Sequence, residues 1–514
     1  MSVLFKRKST LTSNEKQKTI DNVNTGEVVP SVASDFIRAV SGAVHHTSDL
    51  VVKSLPPNLT LIYIENVMDI ASFNNHILQD LFKQPIESPQ DLSTILSISQ
   101  VEITPKIEDA VQAMMAGAVL IHVEGYADVV LGMVPTTEGR QLSAPENESQ
   151  VLGAQIAFNE SLSTNVSLIR RYIKNPNLCS ENFTVGKESN TSIALLYIHG
   201  IASDEMLNTL RQRIIDLEID SVLDSSILAQ LISDNSLSIF PQMLLTERPD
   251  KISAELLLGK LVVVVDGSSL VLACPYSFLE YFQSQEDQNQ RWEIASFIRL
   301  LRFGAVVLSV FLTPIYVAAL TFHYEVIPQS LLVPLSESRA LVPFPPLFEA
   351  LLIELIIELL REAGVRLPVK VGQTIGIVGG IVIGTAAVDA GFTSNILIII
   401  VALAALASFT TPSYTMGNVI RVIRFPLILL AGVWGFYGIM LGFCFILIHL
   451  LRQSSLGSPY TAPFYPPRLF DWSDSLVRLP LPFTDRRPTN TRPKDKVKYK
   501  PEPINPEKHE QKVE

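Results

Sequence analysis

Residues 338–389 read SRALVPFPPLFEALLIELIIELLREAGVRLPVKVGQTIGIVGGIVIGTAAVD. An apolar, helix-period segment carrying Glu349, Glu354 and Glu358 stands directly before a glycine-rich run, a pairing of little use to a soluble protein. From Val371 to Val388 there is no charge. At about 1.5 Å per residue, and with about 18–20 residues needed to cross hydrocarbon, the run is just long enough to span. Gly372, Gly376, Gly380 and Gly384 recur every fourth residue and form one helical stripe. A surface without side chains lets another backbone come close, so the stripe predicts helix packing. Thr374, Val378, Ile381, Thr385 and Asp389 gather on the opposite face. That face either lines a pore, with Val378 and Ile381 closing it by dewetting and Asp389 holding cations at one mouth, or meets lipid or a neighbouring helix.

Working outward, the 514 residues divide into a polar first part and a strongly apolar stretch beginning near Ser296. The expected class is a membrane protein with a large soluble domain. A net charge of −11 excludes a nucleic-acid binder, which needs a basic face for phosphate contacts. Cys179, Cys274 and Cys444 are too scattered for a CxxC pair or a disulfide framework and read as buried thiols of a reducing compartment.

Residues 1–48 are polar, lack the apolar run of a secretory signal and read as an unordered N-terminus kept in the cytoplasm. From Asp49 a globular pattern occurs twice. LTLIYIENVMDIASFNNHILQDL from Leu59 matches SIALLYIHGIASDEMLNTLRQRI from Ser192, with Tyr63 and Tyr197 at equivalent places. AGAVLIHVEGYADVVLGM from Ala116 matches LGKLVVVVDGSSLVLACP from Leu258, with hairpin turns at Glu124-Gly125 and Asp266-Gly267. The fold class is therefore an α/β cytoplasmic domain of two similar subdomains, 49–165 and 166–290, followed by an α-helical integral membrane domain, 291–452, and a proline-rich basic tail, 453–514, whose last part is extended or disordered. No nucleotide-loop, dinucleotide, serine-hydrolase or zinc-protease motif is present, so no catalytic residue, cofactor or metal ligand is expected and the chain reads as a non-enzyme. His122 and His199 read as packed or edge histidines, and Asp204 and Glu205 as helix-capping acids.

Four stretches are apolar enough to cross a bilayer: 297–322, 371–388, 396–411 and 425–451. A fifth, 347–362, reads as re-entrant or interfacial because its acids are costly at bilayer centre. Its Glu354, Glu358, Arg361 and Glu362 share one face, with Glu358 and Arg361 spaced for an ion pair, either as a polar lining at a channel mouth or as an interfacial face. Arg291, Arg299 and Arg302 around the start of the first span, and the basic tail after Leu451, place both ends in the cytoplasm. Four spans satisfy this but leave Arg421 and Arg424 in an outer loop.

PIYVAALTFHYEVIP, the RALVPFPPLFEALLIELIIELLREAGVRLP block, VGQTIGIVGGIVIGTAAV and LGSPYTAPFYP closely resemble the A subunit of spore germinant receptors, the GerA-type germination proteins. FNESLSTNVSLIRRYIK and LLTERPDKISAELLLGKLVVVVDGSSLVLACP extend the resemblance through the soluble half, over about 49–485. Ile64-Glu65-Asn66 and Leu152-Gly153-Ala154 depart from the family's usual turns, which bears on any subunit contact made there. The resemblance implies a multi-pass protein of the spore inner membrane with a cytoplasmic N-terminal domain. It implies a transporter-like B subunit that takes the nutrient, a lipoprotein C subunit, and for this chain a homo-oligomeric channel that opens to release monovalent cations. Two other readings of the residues stay open: a membrane-anchored scaffold or signalling subunit, and a secondary transporter.

Overall fold

The computed structural model describes residues 28–83, 86–136, 144–145, 148–367, 380, 384–480 and 483–499. Its first unit opens on helix α1 (Ala33–Ala43), in the stretch read from sequence as unordered. Phe36, Val40 and Val44 recur one turn apart and are fully covered, and that apolar period is what orders the segment. Strands β1 (Leu50–Leu55) and β2 (Leu59–Ile64), helix α2 (Pro89–Ile95), β3 (Val101–Thr104), α3 (Ile107–Met115), β4 (Ala118–Val123) and β5 (Val129–Met133) follow. They build one antiparallel sheet in the order β1-β2-β4-β5-β3. Alternate residues point to opposite faces: Ile62 and Leu120 pack under α1 and α3, while Leu61, Tyr63 and Ile121 pack against Phe73, Ile77 and Leu92.

The second unit repeats this plan with α4 (Leu162–Tyr172), β6 (Leu178–Val185), β7 (Thr191–Ile198), α5 (Asp204–Ile215), α6 (Ser225–Leu231), β8 (Leu244–Thr246), α7 (Pro249–Leu257), β9 (Leu261–Val265) and β10 (Val271–Cys274). The sheet order is β6-β7-β9-β10-β8, again antiparallel throughout. Tyr63 and Tyr197 lie on the second strand of their sheets. Gly125 and Gly267 sit in the matching hairpin loops with φ of +92° and +84°, torsions that a side chain disfavours. Each turn also receives the helix before its sheet. Ala33 N donates to Glu124 Oε2 at 3.0 Å and Leu162 N to Asp266 Oδ1 at 3.1 Å, so each turn carboxylate satisfies a helix N-terminus. The repeat thus starts at the helix before the first strand, and the 165/166 boundary expected from sequence falls inside α4.

A buried ion pair joins the units. Arg170 of α4 donates from Nε and Nη2 to the two oxygens of Asp49 at 2.6 and 2.7 Å, and from Nη1 to the Leu178 carbonyl at 3.2 Å. Thr47 adds a hydroxyl to Asp49, and both charged side chains are at most 3% exposed.

The second half is helical: α8 (Trp292–Thr321), α9 (Gln329–Arg339), α10 (Pro346–Arg366), α11 (Gly384–Asp389), α12 (Asn395–Ser408) and α13 (Tyr414–Arg452). Among the described residues, α8 and α13 are the two long and apolar enough to cross a membrane. The stretch 425–451, read from sequence as one span, is not a single rod. Gly435 takes φ +62°, ψ −139°, and the chain folds back on itself there. Gly438 lies against the Leu430 carbonyl and Gly442 against the Leu427 side chain so closely that neither has room for a Cβ. The result is a hairpin whose tip sits beside His323 at the end of α8 and whose two feet stand on the second unit. Arg421 and Arg424 therefore lie in its first arm and not in an outer loop. Helix α10, the segment read as re-entrant or interfacial, runs from the tip, where Leu347 meets Gly432, to the feet, where Arg361 meets Arg421.

The two halves share one core. Met416, Val419, Ile420, Ile423, Leu427 and Leu450 of α13 pack with Leu196, Val262 and Val264 of the second sheet. At the base of α8, Arg299 and Arg302 are buried against Asp287, at 3.0 and 3.1 Å. The tail then returns along the second unit. Tyr460 Oη donates to the Pro241 carbonyl at 2.6 Å, Arg487 Nε to Leu257 O at 2.9 Å, and Arg492 and Lys494 pair with Glu205 and Asp204 at 2.8 and 2.7 Å. Through Tyr499 the tail is therefore extended but anchored. Asp204 and Glu205, read as capping acids, hold it, while Ser203 takes the N-cap position of α5. Beneath it Lys260 is buried between Glu255 and Glu280, at 2.7 and 2.9 Å. Burial pushes its ammonium down, but the two carboxylates outweigh burial and the net shift is upward.

Removing one partner of a buried pair leaves an uncompensated charge, at a cost of about 3–5 kcal/mol. Arg170→Ala is expected to lower the unfolding free energy of the purified chain by that amount, and the double change Asp49→Leu, Arg170→Met to recover most of it. Urea titration followed by tryptophan fluorescence is the check.

Candidate functional site

Helix α10 is apolar apart from acids at 349, 354, 358 and 362 and arginines at 361 and 366, so the fold must decide what each acid meets. Glu354 turns into the bundle and is 4% exposed. Its Oε2 accepts from Arg424 Nη1 of α13 at 2.7 Å and its Oε1 from Thr313 Oγ1 of α8 at 2.9 Å. Arg424, 3% exposed, also donates from Nη2 to Ser309 Oγ at 2.8 Å and to the Ala404 carbonyl of α12 at 3.5 Å. Four helices thus converge on one charge pair. Each ion alone would cost several kcal/mol to bury, so the short contact and the surrounding donors and acceptor are what offset burial of the pair among apolar side chains.

One turn toward the α/β units, Glu358 pairs with Arg361 as their spacing predicts. Glu354, Glu358, Arg361, Ser408, Arg421 and Arg424 surround a cavity of about 20 Å³, room for about one water. The Nε atoms of Arg421 and Arg424 face no hydrogen-bond acceptor among the described residues. Glu362 leaves this cluster, pairing instead with Arg366 at 2.6 Å on the exposed side. Near the tip Glu349 is fully buried. It accepts from Ser394 N at 2.6 Å and Thr393 Oγ1 at 3.2 Å, placing a carboxylate at the N-terminus of α12.

Of the glycine-helix residues, Gly372, Gly376, Thr374, Val378 and Ile381 lie outside the described residues. Thr385 and Asp389 are exposed on α11, and a Cβ at Gly380 or Gly384 would touch nothing within 4 Å. Close approach occurs instead on α13, of the Leu430 backbone to Gly438 and of leucine side chains to Gly432 and Gly442. Ser309 and Thr313 escaped the sequence reading, and Arg424, expected in an outer loop, was not expected in this site. The available signal was two small hydroxyl residues four apart on α8 and two arginines inside an otherwise apolar stretch.

Elsewhere, His122 is fully buried, bonded through Nε2 to the Pro30 carbonyl at 2.9 Å and stacked on Phe36, whereas His199 stacks on His45. Burial pushes the Cys179 thiol up to about 11 and that of Cys274 up to about 12, so neither is a nucleophile at neutral pH. Among the described residues no group of three or more His, Cys, Asp or Glu is placed to hold a metal ion.

Arg424→Leu strands Glu354 in the bundle and is expected to cost about 3–5 kcal/mol, seen as aggregation and a lowered midpoint in detergent. Glu354→Gln with Arg424→Gln, which keeps hydrogen bonds without charge, is expected to restore a monodisperse protein. A double-mutant cycle on thermal unfolding measures the coupling.

The family model described as Bacillus/Clostridium GerA spore germination protein matches residues 38–490. Spore germination protein GerQA of Bacillus cereus is 46% identical over 448 residues, covering 87% of this chain and 90% of the relative. Spore germination protein KA of Bacillus subtilis (strain 168) is 38% identical over 491 residues, 93% of this chain and 90% of the relative. Among solved structures, the N-terminal domain of the A subunit of the Bacillus megaterium spore germinant receptor GerK3 matches with 28% identity and a TM-score of 0.40, covering 50% of this chain and 99% of that one. With a match that runs from α1 through the tail, the chain belongs to the GerA family of Bacillus/Clostridium spore germination proteins.

Proposed function

We propose that this chain is the A-type subunit of a nutrient-responsive spore germinant receptor and forms, as a homo-oligomer, an ion channel of the spore inner membrane. In this reading the α/β units and the tail are cytoplasmic. A transporter-like B subunit binds the nutrient, a lipoprotein C subunit completes the receptor, and opening releases monovalent cations. The observation that carries it is the Glu354–Arg424 pair, with Ser309 and Thr313, set between apolar helices. Ionisable groups held inside such helices mark ion pathways and gates, because nothing about packing alone repays their burial.

The pair supports a gate better than a lining. Both Glu354 oxygens and both Arg424 Nη atoms are bonded within the four helices, and breaking the pair by moving the hairpin would expose Glu354 to a path for cations. The pore wall itself is assigned to the face of Thr374, Val378, Ile381, Thr385 and Asp389, with Gly372, Gly376, Gly380 and Gly384 packing against a neighbouring copy. The scaffold reading is favoured by one observation, the closed state of that pair. A scaffold passes no ions in any state.

Reconstituted receptor is expected to pass potassium on nutrient addition, and flux that never exceeds that of empty vesicles would leave the scaffold reading. Val378→Ala is expected to leak and give prematurely germinating spores, and Gly380→Leu to abolish the response by blocking assembly. In the conducting complex, cysteines at 374, 378, 381 and 385 should react with a small aqueous thiol reagent. Labelling of the glycine stripe instead would reverse the helix. Glu358→Gln, at normal protein abundance, is expected to shift germination, whereas an interfacial helix would leave it unchanged.

A further inference from the structure

After α6 the chain makes a loop, Ser233–Ile239, whose base is rigid and whose apex is apolar. Asp234 accepts from Arg213 Nη1 at 2.6 Å and from the Gly457 amide at 3.0 Å. Asn235 is clamped at both backbone groups by Gln242, whose Nε2 also reaches Gln453 Oε1 at 3.2 Å. A loop held this firmly nevertheless presents Leu237 at 92% exposure and Ile239 at 54%. Isolated exposed leucines need no explanation, but this one stands on a fixed support beside the feet of the helical hairpin.

The height of the loop follows from its contacts. Ser238 Oγ lies 3.0 Å from His449 Nε2 at the second foot, and the Phe240 ring lies 5.8 Å from that imidazole. Thr415 and Val419 of the first foot face Ile239 across a groove of about 340 Å³. Helix α8 reaches the same cluster through Phe303 and Val306, and one turn earlier it exposes Phe297, Leu300 and Leu301, as the first foot exposes Tyr414. Exposed apolar side chains thus stand at the start of α8, at the first foot and on the loop bonded to the second foot, where Arg452 is also exposed.

We infer that Leu237 and Ile239 insert into the headgroup–acyl boundary of the bilayer that the helices cross, so that the second unit is pinned to the membrane surface beside the hairpin. This rests on the membrane reading given above. Lipid is the occupant that this position favours, because the loop is bonded to the feet of the hairpin that, in the membrane reading, enters hydrocarbon. The nearby arginine suits an anionic headgroup, and an apolar apex beside a basic residue is the usual make-up of an interfacial anchor. A unit fixed at this point cannot rotate without dragging the feet of α13, to which Ser238 and Gln242 are bonded directly or through Gln453.

The test uses the full chain in a Cys444→Ala background, since Cys179 and Cys274 are buried. Leu237→Cys carries an environment-sensitive thiol fluorophore and the protein is reconstituted in phosphatidylcholine–phosphatidylglycerol vesicles. Phe445→Cys, on the exposed face of the second arm, reports the membrane reading, and Leu223→Cys, on the soluble unit, gives the aqueous reference. The expected result at 237 is blue-shifted emission, quenching by lipid bearing a nitroxide near the headgroup, and protection from iodide relative to 223. Iodide quenching at 237 equal to that at 223, with Phe445→Cys quenched by acyl-chain nitroxide, overturns the anchor and leaves the membrane reading standing. Protection at 237 from both quenchers overturns it in favour of a second copy of the chain. Loss of lipid quenching at both 237 and 445 overturns the membrane reading and the anchor with it.

Discussion

The helical half depends on burying Glu354 and Arg424 against each other. Either charge alone would be costly to bury in the bundle, and the 2.7 Å contact is supported by α8 and α12 through Thr313, Ser309 and the Ala404 carbonyl. The pair therefore fixes the relative rotation of four helices at once. Apolar packing alone would not, since leucine and isoleucine surfaces slide over one another with little preference. The Asp49–Arg170 pair does the same for the two α/β units, beside the bonds of Thr47 and Ser48 to Ser180.

A second constraint is the continuity of the core. Strands β7 and β9 turn one face toward α5 and the other toward α4, α7 and the feet of α13, so the sheet of the second unit is also the floor of the helical bundle. The tail closes the arrangement from outside by bonding to Leu257, Pro241, Asp204 and Glu205. Displacement of the second unit is thus transmitted to the hairpin through packed side chains and short hydrogen bonds, without a flexible linker to absorb it.

Much of this was legible in the residues. The duplicated strand and hairpin patterns predict two like units, and in both sheets the tyrosine strand and the glycine turn take equivalent places. The Glu358–Arg361 pair follows from spacing on a helix. These features are local: period, turn torsion and i,i+3 geometry are carried by neighbours in sequence and hold wherever the segment is placed.

What tertiary structure decided is everything that joins distant segments. Hydropathy treats 425–451 as one span because it sums side chains and is blind to the torsion of Gly435, which no neighbouring residue announces. Acids on one face of α10 look alike in sequence, yet one meets an arginine 70 positions away and another meets solvent, because the partner's position depends on how the hairpin folds. The tail is polar and proline-rich, the composition of an extended chain. It is anchored through Tyr499 because Asp204, Glu205 and the Leu257 carbonyl stand where Lys494, Arg492 and Arg487 can reach them. Composition sets whether a segment can be buried; the partner that makes burial favourable exists only after the chain has brought it there.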